Sequence, residues 1–139
     1  MRKKILIMLL IVLLSGCGNS ESEVSGKEEL DLTLLNETMA YSQLINIIKE
    51  PEEYLGTPIK LKGIYTAPFN GFTHQYNYTV TIQDNTQCCA QGIEFILKKP
   101  SDTEKLPAEG EMVQIQGILD LFEEGKHAYC IISDAQISE

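Results

Sequence analysis

The chain has 139 residues, of which 20 are acidic and 11 are basic, so its formal net charge is −9. This length allows one compact domain with a single modest core. An acidic surface repels the phosphate backbone, which nucleic-acid-binding proteins neutralise with Lys and Arg. The composition therefore predicts that nucleic acid is not a partner.

The first 20 residues have the pattern of an export signal. Basic residues at positions 2–4 precede ten consecutive apolar residues, Ile5 to Leu14, a run shorter than the roughly 20 residues of a membrane-spanning helix. The motif LSGC that ends at Cys17 resembles the lipobox of bacterial lipoproteins. This resemblance implies cleavage after Gly16, lipidation of Cys17, and acyl chains such as palmitate that anchor the protein to the extracytoplasmic face of the cell membrane. The alternative is an uncleaved anchor with an incidental cysteine.

The segment after the signal predicts an acidic, flexible tether over residues 17–37. It is polar and acidic at first and has no sustained hydrophobic period before Leu30, as is typical of flexible linkers. The leucines at 30, 32, 34 and 35 also allow a brief strand or docking on the domain. We place the folded domain at residues 38–139.

One helix and five strands are predicted for this domain. Apolar residues recur at helical spacing from Tyr41 to Ile48, with Thr38 or Ser42 as the cap, and Pro51 permits one further turn that Gly56 ends. Alternating patterns predict strands at about 58–65, 76–82, 93–97, 111–119 and 126–137. Short strands with internal glycines and no alternating helices predict an all-β fold, a small five-stranded OB-like (oligonucleotide/oligosaccharide-binding) barrel preceded by a short N-terminal helix.

Two short motifs carry a family resemblance. The stretch EYLGTPIKLKG, from Glu53 to Gly63, resembles the opening of many small bacterial OB-like domains. Cys88-Cys89-Ala90, which follows a hydrophobic strand, resembles the paired-cysteine segment in the OB-like C-terminal domain of the YcgQ-type bacterial membrane-associated family. The resemblance implies an OB-like fold and a connection to zinc homeostasis, to which that family has been linked. The chain departs from the family in having no permanent membrane-spanning segment.

Three cysteines remain once Cys17 is lipidated, and they leave three alternatives open. In the first, Cys88, Cys89 and Cys130 bind a soft metal such as zinc, with His74, Glu94 or water as the fourth ligand. In the second, Cys130 forms a disulfide with one of the pair, since adjacent Cα atoms about 3.8 Å apart are too close for a bridge between them. In the third, all three are buried reduced thiols. We favour metal binding by a narrow margin.

The remaining sequence indicates a binding protein that is not an enzyme, because it contains no nucleophile elbow, phosphate loop or HExxH motif. The alternative to metal binding is a module for an oligosaccharide, a peptide or an envelope protein, or a purely structural lipoprotein. Its candidate stacking groups are Phe72, Tyr76, Tyr78 and Tyr129. Tyr76 and Tyr78 are expected first in the core, because they alternate with Val80 and Ile82. We expect a monomer.

Overall fold

The computed structural model describes residues 26–138, so the predicted signal, Cys17 and the first part of the predicted tether lie outside the described residues. Two α-helices, α1 (Glu37–Lys49) and α2 (Pro51–Tyr54), are accompanied by 3-10 turns at Leu32–Leu34 and Pro100–Lys105. The strands are β1 (Leu30–Asp31), β2 (Pro58–Thr66), β3 (Phe69–Asn70), β4 (Gln75–Tyr76), β5 (Thr79–Gln83), β6 (Ala90–Leu97), β7 (Met112–Glu124) and β8 (His127–Ser138). Between residues 26 and 138, no helix is long and apolar enough to cross a membrane.

The five long strands form a closed barrel, which confirms the predicted fold class. The strand order is β2-β5-β6-β8-β7, and β7 pairs again with β2. Strands β6 and β8 run parallel, while the other four contacts around the barrel are antiparallel. Strands β3 and β4 form a separate two-stranded ribbon in the connection between β2 and β5. The barrel and this ribbon position the two candidate sites described below.

Alternating side chains on the strands fill the barrel interior. On β2, Ile59, Leu61 and Tyr65 are buried, as the alternation predicts. Gly63 lies near the point where β2 leaves β7 and begins to pair with β5. A Cβ atom at this position would lie 2.5 Å from the Thr81 carbonyl oxygen, so only glycine allows this close approach of the two strands.

Helix α1 packs on the barrel through Ala40, Leu44 and Ile47, all of which are buried in the common core. The helix begins earlier than the sequence pattern predicts. Its N-cap is Asn36, whose side-chain oxygen accepts a hydrogen bond from the Met39 N–H at 3.0 Å. The predicted caps Thr38 and Ser42 instead lie inside the first turns.

Part of the predicted tether packs against the barrel. Strand β1 pairs in parallel with the start of β2, and Leu32 is only 2% exposed within the core. Upstream, the Lys27 ammonium donates a hydrogen bond to the Leu55 carbonyl at 2.6 Å. In the structure, the folded unit therefore begins before the predicted boundary at residue 38.

Candidate functional site

The loop between β5 and β6 is a tight connection that runs from Asp84 to Cys89. The Asp84 N–H donates to the Cys89 carbonyl at 3.0 Å, and the Gln87 N–H donates to the Asp84 carbonyl at 2.9 Å. Gln87 adopts a left-handed backbone conformation with a φ of 56°. These contacts fold the loop back on itself, so that the side chain of Asp84 meets the two cysteines that end the loop.

The Asp84 carboxylate is held in its charged form. It accepts hydrogen bonds from the Thr86 hydroxyl at 2.8 Å and from the Cys89 N–H at 3.3 Å. The Thr86 hydrogen bond, supported by the backbone N–H groups of the loop, lowers the pKa of Asp84 below its ordinary value. A carboxylate has about four lone-pair positions, so Asp84 keeps capacity to bind a cation.

Cys88 and Cys89 expose their thiols next to this carboxylate. Their Sγ atoms lie 3.3 Å apart, and one ligand atom from each of Asp84, Cys88 and Cys89 lies within 4.8 Å of the other two. The hydrogen bond with Cys88, and the repulsion that two neighbouring thiolates would suffer, raise the pKa of Cys89. The group can therefore hold a cation, and a bound cation would relieve this repulsion.

Tyr41 on helix α1 also contacts the loop. Its hydroxyl lies close enough to the Cys89 thiol for each group to shift the pKa of the other. Burial raises the pKa of Tyr41, and the nearby Cys89 and Asp84 raise it further. The helix therefore places one neutral polar group beside the two thiols and the carboxylate.

The other predicted metal ligands lie elsewhere in the fold. Cys130 is half-buried on β8, and burial together with the nearby Asp120 raises its pKa to about 11. Its neighbour Ile131 pairs with Glu94, which places Cys130 beside Ile93, four residues or about 13 Å along β6 from Cys89.

His74 and Glu94 make different contacts. His74 lies in the turn of the β3–β4 ribbon, where its ring is perpendicular to that of Phe69 at a centroid distance of 6.3 Å. Glu94 lies on β6 and accepts a hydrogen bond from the Asn77 side-chain amide at 3.1 Å. The structure thus brings together two of the five predicted ligands, Cys88 and Cys89, and adds Asp84. The three described cysteines are free thiols, with no disulfide among residues 26–138.

A second candidate site is a groove of about 1130 Å³ on the outer side of β6 and β8. On one side it is bounded by the β3–β4 ribbon, where Tyr76 is 62% exposed. On the other side it is bounded by the β7–β8 hairpin, where the rings of Phe122 and Tyr129 stack with centroids 6.0 Å apart. Ile96, which is also exposed, lies on β6 between these aromatic groups.

Three of the four predicted stacking residues line the groove, and the fourth lies outside it. Tyr76 and Tyr129 line it, whereas Phe72 is 97% exposed and lies outside its lining. Tyr78 also lines the groove, but its ring packs 5.8 Å from Phe95 against the core, as expected from the sequence. The expectation of a core position for Tyr76 is wrong, because the chain breaks its strand at Asn77 and pairs Tyr76 with Phe69 in the ribbon.

Phe122 is a groove residue that the sequence pattern does not predict. The alternation of apolar residues predicts a strand that ends at Leu119, whereas β7 continues to Glu124 and pairs Phe122 with Tyr129. The short turn around Gly125 could have indicated this cross-strand aromatic pair, because the two strands of a tight hairpin stay paired up to the turn.

Comparisons with known proteins give a distant structural likeness. No protein-family model and no curated protein matches the chain. A solved structure from Klebsiella pneumoniae, described as a "putative nucleic acid-binding lipoprotein", is similar with a TM-score of 0.47 and 16% sequence identity. The likeness covers 88% of this chain and 100% of that chain.

This comparison bears on our prediction that nucleic acid is not a partner, and it does not test the resemblance to the YcgQ-type family. The description of the Klebsiella protein names nucleic acid, which conflicts with our exclusion of nucleic acid from net charge alone. We therefore withdraw that exclusion. The description also names a lipoprotein, the class predicted from the motif at Cys17. The resemblance to the YcgQ-type family stays a prediction.

Proposed function

We propose that this protein is a lipid-anchored, extracytoplasmic binding module that performs no catalysis and holds a soft metal ion, such as zinc, through Cys88, Cys89 and Asp84. The observation that carries the proposal is the convergence of one ligand atom from each residue within 4.8 Å. The N-terminal anchor is supported by the export signal and the motif that ends at Cys17.

The geometry of the loop is compatible with zinc after a small adjustment. Zinc binds thiolates at about 2.3 Å in a tetrahedral arrangement, which separates two sulfur ligands by about 3.8 Å. The Sγ atoms of Cys88 and Cys89 lie 3.3 Å apart, so they need to separate by only about 0.5 Å. Both side chains are exposed, so they can make this adjustment without disturbing the core.

The charges in the loop also favour a divalent cation. Two thiolates and one carboxylate supply three negative charges, one more than a site that consists of two thiolates alone. Because thiols must lose their protons to bind, the raised pKa of Cys89 makes the affinity increase with pH. Three protein ligands leave one tetrahedral position for water or for a ligand from a partner. Such an open and exposed site exchanges its ion more readily than a closed site with four protein ligands.

The test is the metal content of the mature protein purified under reducing conditions with zinc. We expect one zinc ion per chain by elemental analysis, and its loss when both Cys88 and Cys89 are replaced by serine. Asp84→Asn should weaken binding, because it removes a charged ligand while keeping the shape of the side chain. Cys130→Ser is the matched control and should bind zinc as the wild type does.

Two results would contradict the proposal. One is zinc binding that survives loss of both loop thiols. The other is loss of zinc in the Cys130→Ser protein while it remains folded, since Cys130 would then belong to the ligand set that the structure separates from it.

A further inference from the structure

The β3–β4 ribbon carries the most exposed aromatic side chains of the described residues. These are Phe72, Tyr76 and Phe69, which are 97%, 62% and 57% exposed. The rings of Phe69 and Tyr76 meet with centroids 5.4 Å apart, and Phe72 lies in the turn between them. A single exposed aromatic residue is ordinary, but several on one short segment are typical of an interaction surface.

The turn that carries Phe72 pairs its backbone groups internally. The Asn70 side-chain oxygen accepts hydrogen bonds from the Phe72 N–H at 3.0 Å and from the Thr73 N–H at 3.3 Å. At the base of the ribbon, the Asn77 N–H donates to the Pro68 carbonyl at 3.0 Å. An unpaired N–H group is costly to move out of water. These hydrogen bonds therefore allow the turn to enter a less polar environment.

The ribbon also lies in the longest uncharged stretch that follows the predicted signal. Residues 63–83 contain no Asp, Glu, Lys or Arg, in a chain that is 22% charged and has a net charge of −9. The β7–β8 hairpin differs, because the exposed Asp120 and Glu123 lie close to its exposed Phe122. Anionic lipid headgroups repel acidic side chains. They would repel this hairpin but not the ribbon.

The proposed anchor at Cys17 keeps the ribbon near a membrane. Gly26, the first described residue, follows Cys17 by nine residues, a length that spans at most about 30 Å. Strand β1 pairs with the start of β2, and the ribbon follows the end of β2, whose nine residues also span about 30 Å. The turn of the ribbon can therefore reach the headgroup layer while Cys17 is anchored, and the short connection gives it a high effective concentration there.

We propose that the β3–β4 ribbon is a second membrane contact, with Phe72 inserted in the headgroup region of the bilayer that holds the lipid anchor. The inference rests on the proposed anchor and uses a different surface from the metal loop. Aromatic side chains are enriched at membrane–water interfaces, where their rings lie at the headgroup level. A second copy of the chain is a poorer occupant, because two molecules with a net charge of −9 repel each other. Two contacts fix the orientation of the barrel on the bilayer, which one anchor at the chain terminus does not.

The test uses a single tryptophan at the turn, because the chain contains none. The mature Phe72→Trp chain is joined to a lipid thioester through its N-terminal Cys17. Internal thiols exchange reversibly with the thioester, and only an N-terminal cysteine goes on to form a stable amide. In vesicles of phosphatidylcholine and phosphatidylglycerol, we expect the emission to shift to shorter wavelength relative to the unligated chain in solution. Lipids brominated on their acyl chains should quench it.

Three further variants separate membrane contact from proximity and from structural damage. Leu34→Trp places the probe at a residue that is 81% exposed and nearer to Cys17 in the sequence, and we expect no shift and no quenching. In the Phe72→Trp chain, Thr73→Glu adds a carboxylate to the turn and should remove most of the shift and the quenching. Ser101→Glu adds the same charge at an exposed residue outside the ribbon and should leave both in place. The thermal midpoint should be unchanged in both charge variants.

The inference is overturned if the emission of the Phe72→Trp chain is the same on vesicles as in solution, or if the Leu34→Trp chain is quenched equally. It is also overturned if the shift of the Phe72→Trp chain appears without vesicles as the protein concentration rises, since a second copy would then cover the ribbon. Because the lipid is attached chemically, failure of Cys17 lipidation in cells would contradict the proposed anchor and would change none of these outcomes.

Discussion

Replacing Leu32 with alanine should destabilise the protein by about 2 to 5 kcal/mol. Leu32 comes from the segment predicted to be tether, yet its side chain is 2% exposed in the core. The substitution removes three carbon atoms, worth about 0.8 kcal/mol each in transfer from water, and leaves a cavity that adds to this cost. For a domain of this size, the expected fall in the thermal midpoint is roughly 10 °C or more.

Thermal and urea unfolding of the mature protein, followed by circular dichroism, measure this effect. Leu34→Ala is the matched control, because Leu34 lies two residues away and is 81% exposed. We expect it to change the free energy of unfolding by less than about 0.5 kcal/mol. Equal effects of the two substitutions would refute the placement of this segment in the core.

Three other predictions follow from single contacts. At pH 8, iodoacetamide should modify Cys130 about a hundredfold more slowly in the folded protein than in urea, because its pKa of about 11 leaves little thiolate in the folded state. The rate of modification in the folded protein should rise with pH. Equal rates in the folded protein and in urea would contradict this prediction. Cys17→Ala should abolish incorporation of labelled palmitate into the protein in cells, and continued labelling of this variant would disprove lipid attachment at Cys17. Gly63→Ala should lower the free energy of unfolding in urea by about 1 to 3 kcal/mol, because the new Cβ would meet the Thr81 carbonyl. Gly71→Ala is the control and should lower it little, because the space around Gly71 is open. Equal effects of the two substitutions would show that β2 and β5 do not approach this closely.

The fold could be predicted from sequence because its strands have a buried face. On β2 and β5, apolar side chains alternate with more exposed ones, and this period of two distinguishes half-buried strands from helices. The start of the folded unit could not be predicted in the same way. Leu30 and Leu32 contact the barrel through a two-residue strand and a 3-10 turn, and neither element is long enough to produce a period.

The candidate metal site could be predicted only in part. The adjacent cysteines indicated the loop in which the candidate ligands meet, but a count of thiols also led us to include Cys130. The parallel pairing of β6 with β8 decides where Cys130 lies, and strand pairing between distant segments leaves no local signal in a sequence. Asp84 was missed as a candidate ligand because the loop folds back through backbone hydrogen bonds, and no single residue type indicates such a fold in the sequence.

X-ray absorption spectroscopy of the zinc-loaded mature protein tests the proposed metal site most directly. The fine structure gives the number and type of ligands around zinc. The account predicts two sulfur ligands at about 2.3 Å, with the remaining ligands being oxygen atoms at about 2.0 to 2.2 Å. It also predicts the same spectrum for the Cys130→Ser protein. Three sulfur ligands in the wild type, falling to two in that variant, would contradict the assignment of the site to Asp84, Cys88 and Cys89.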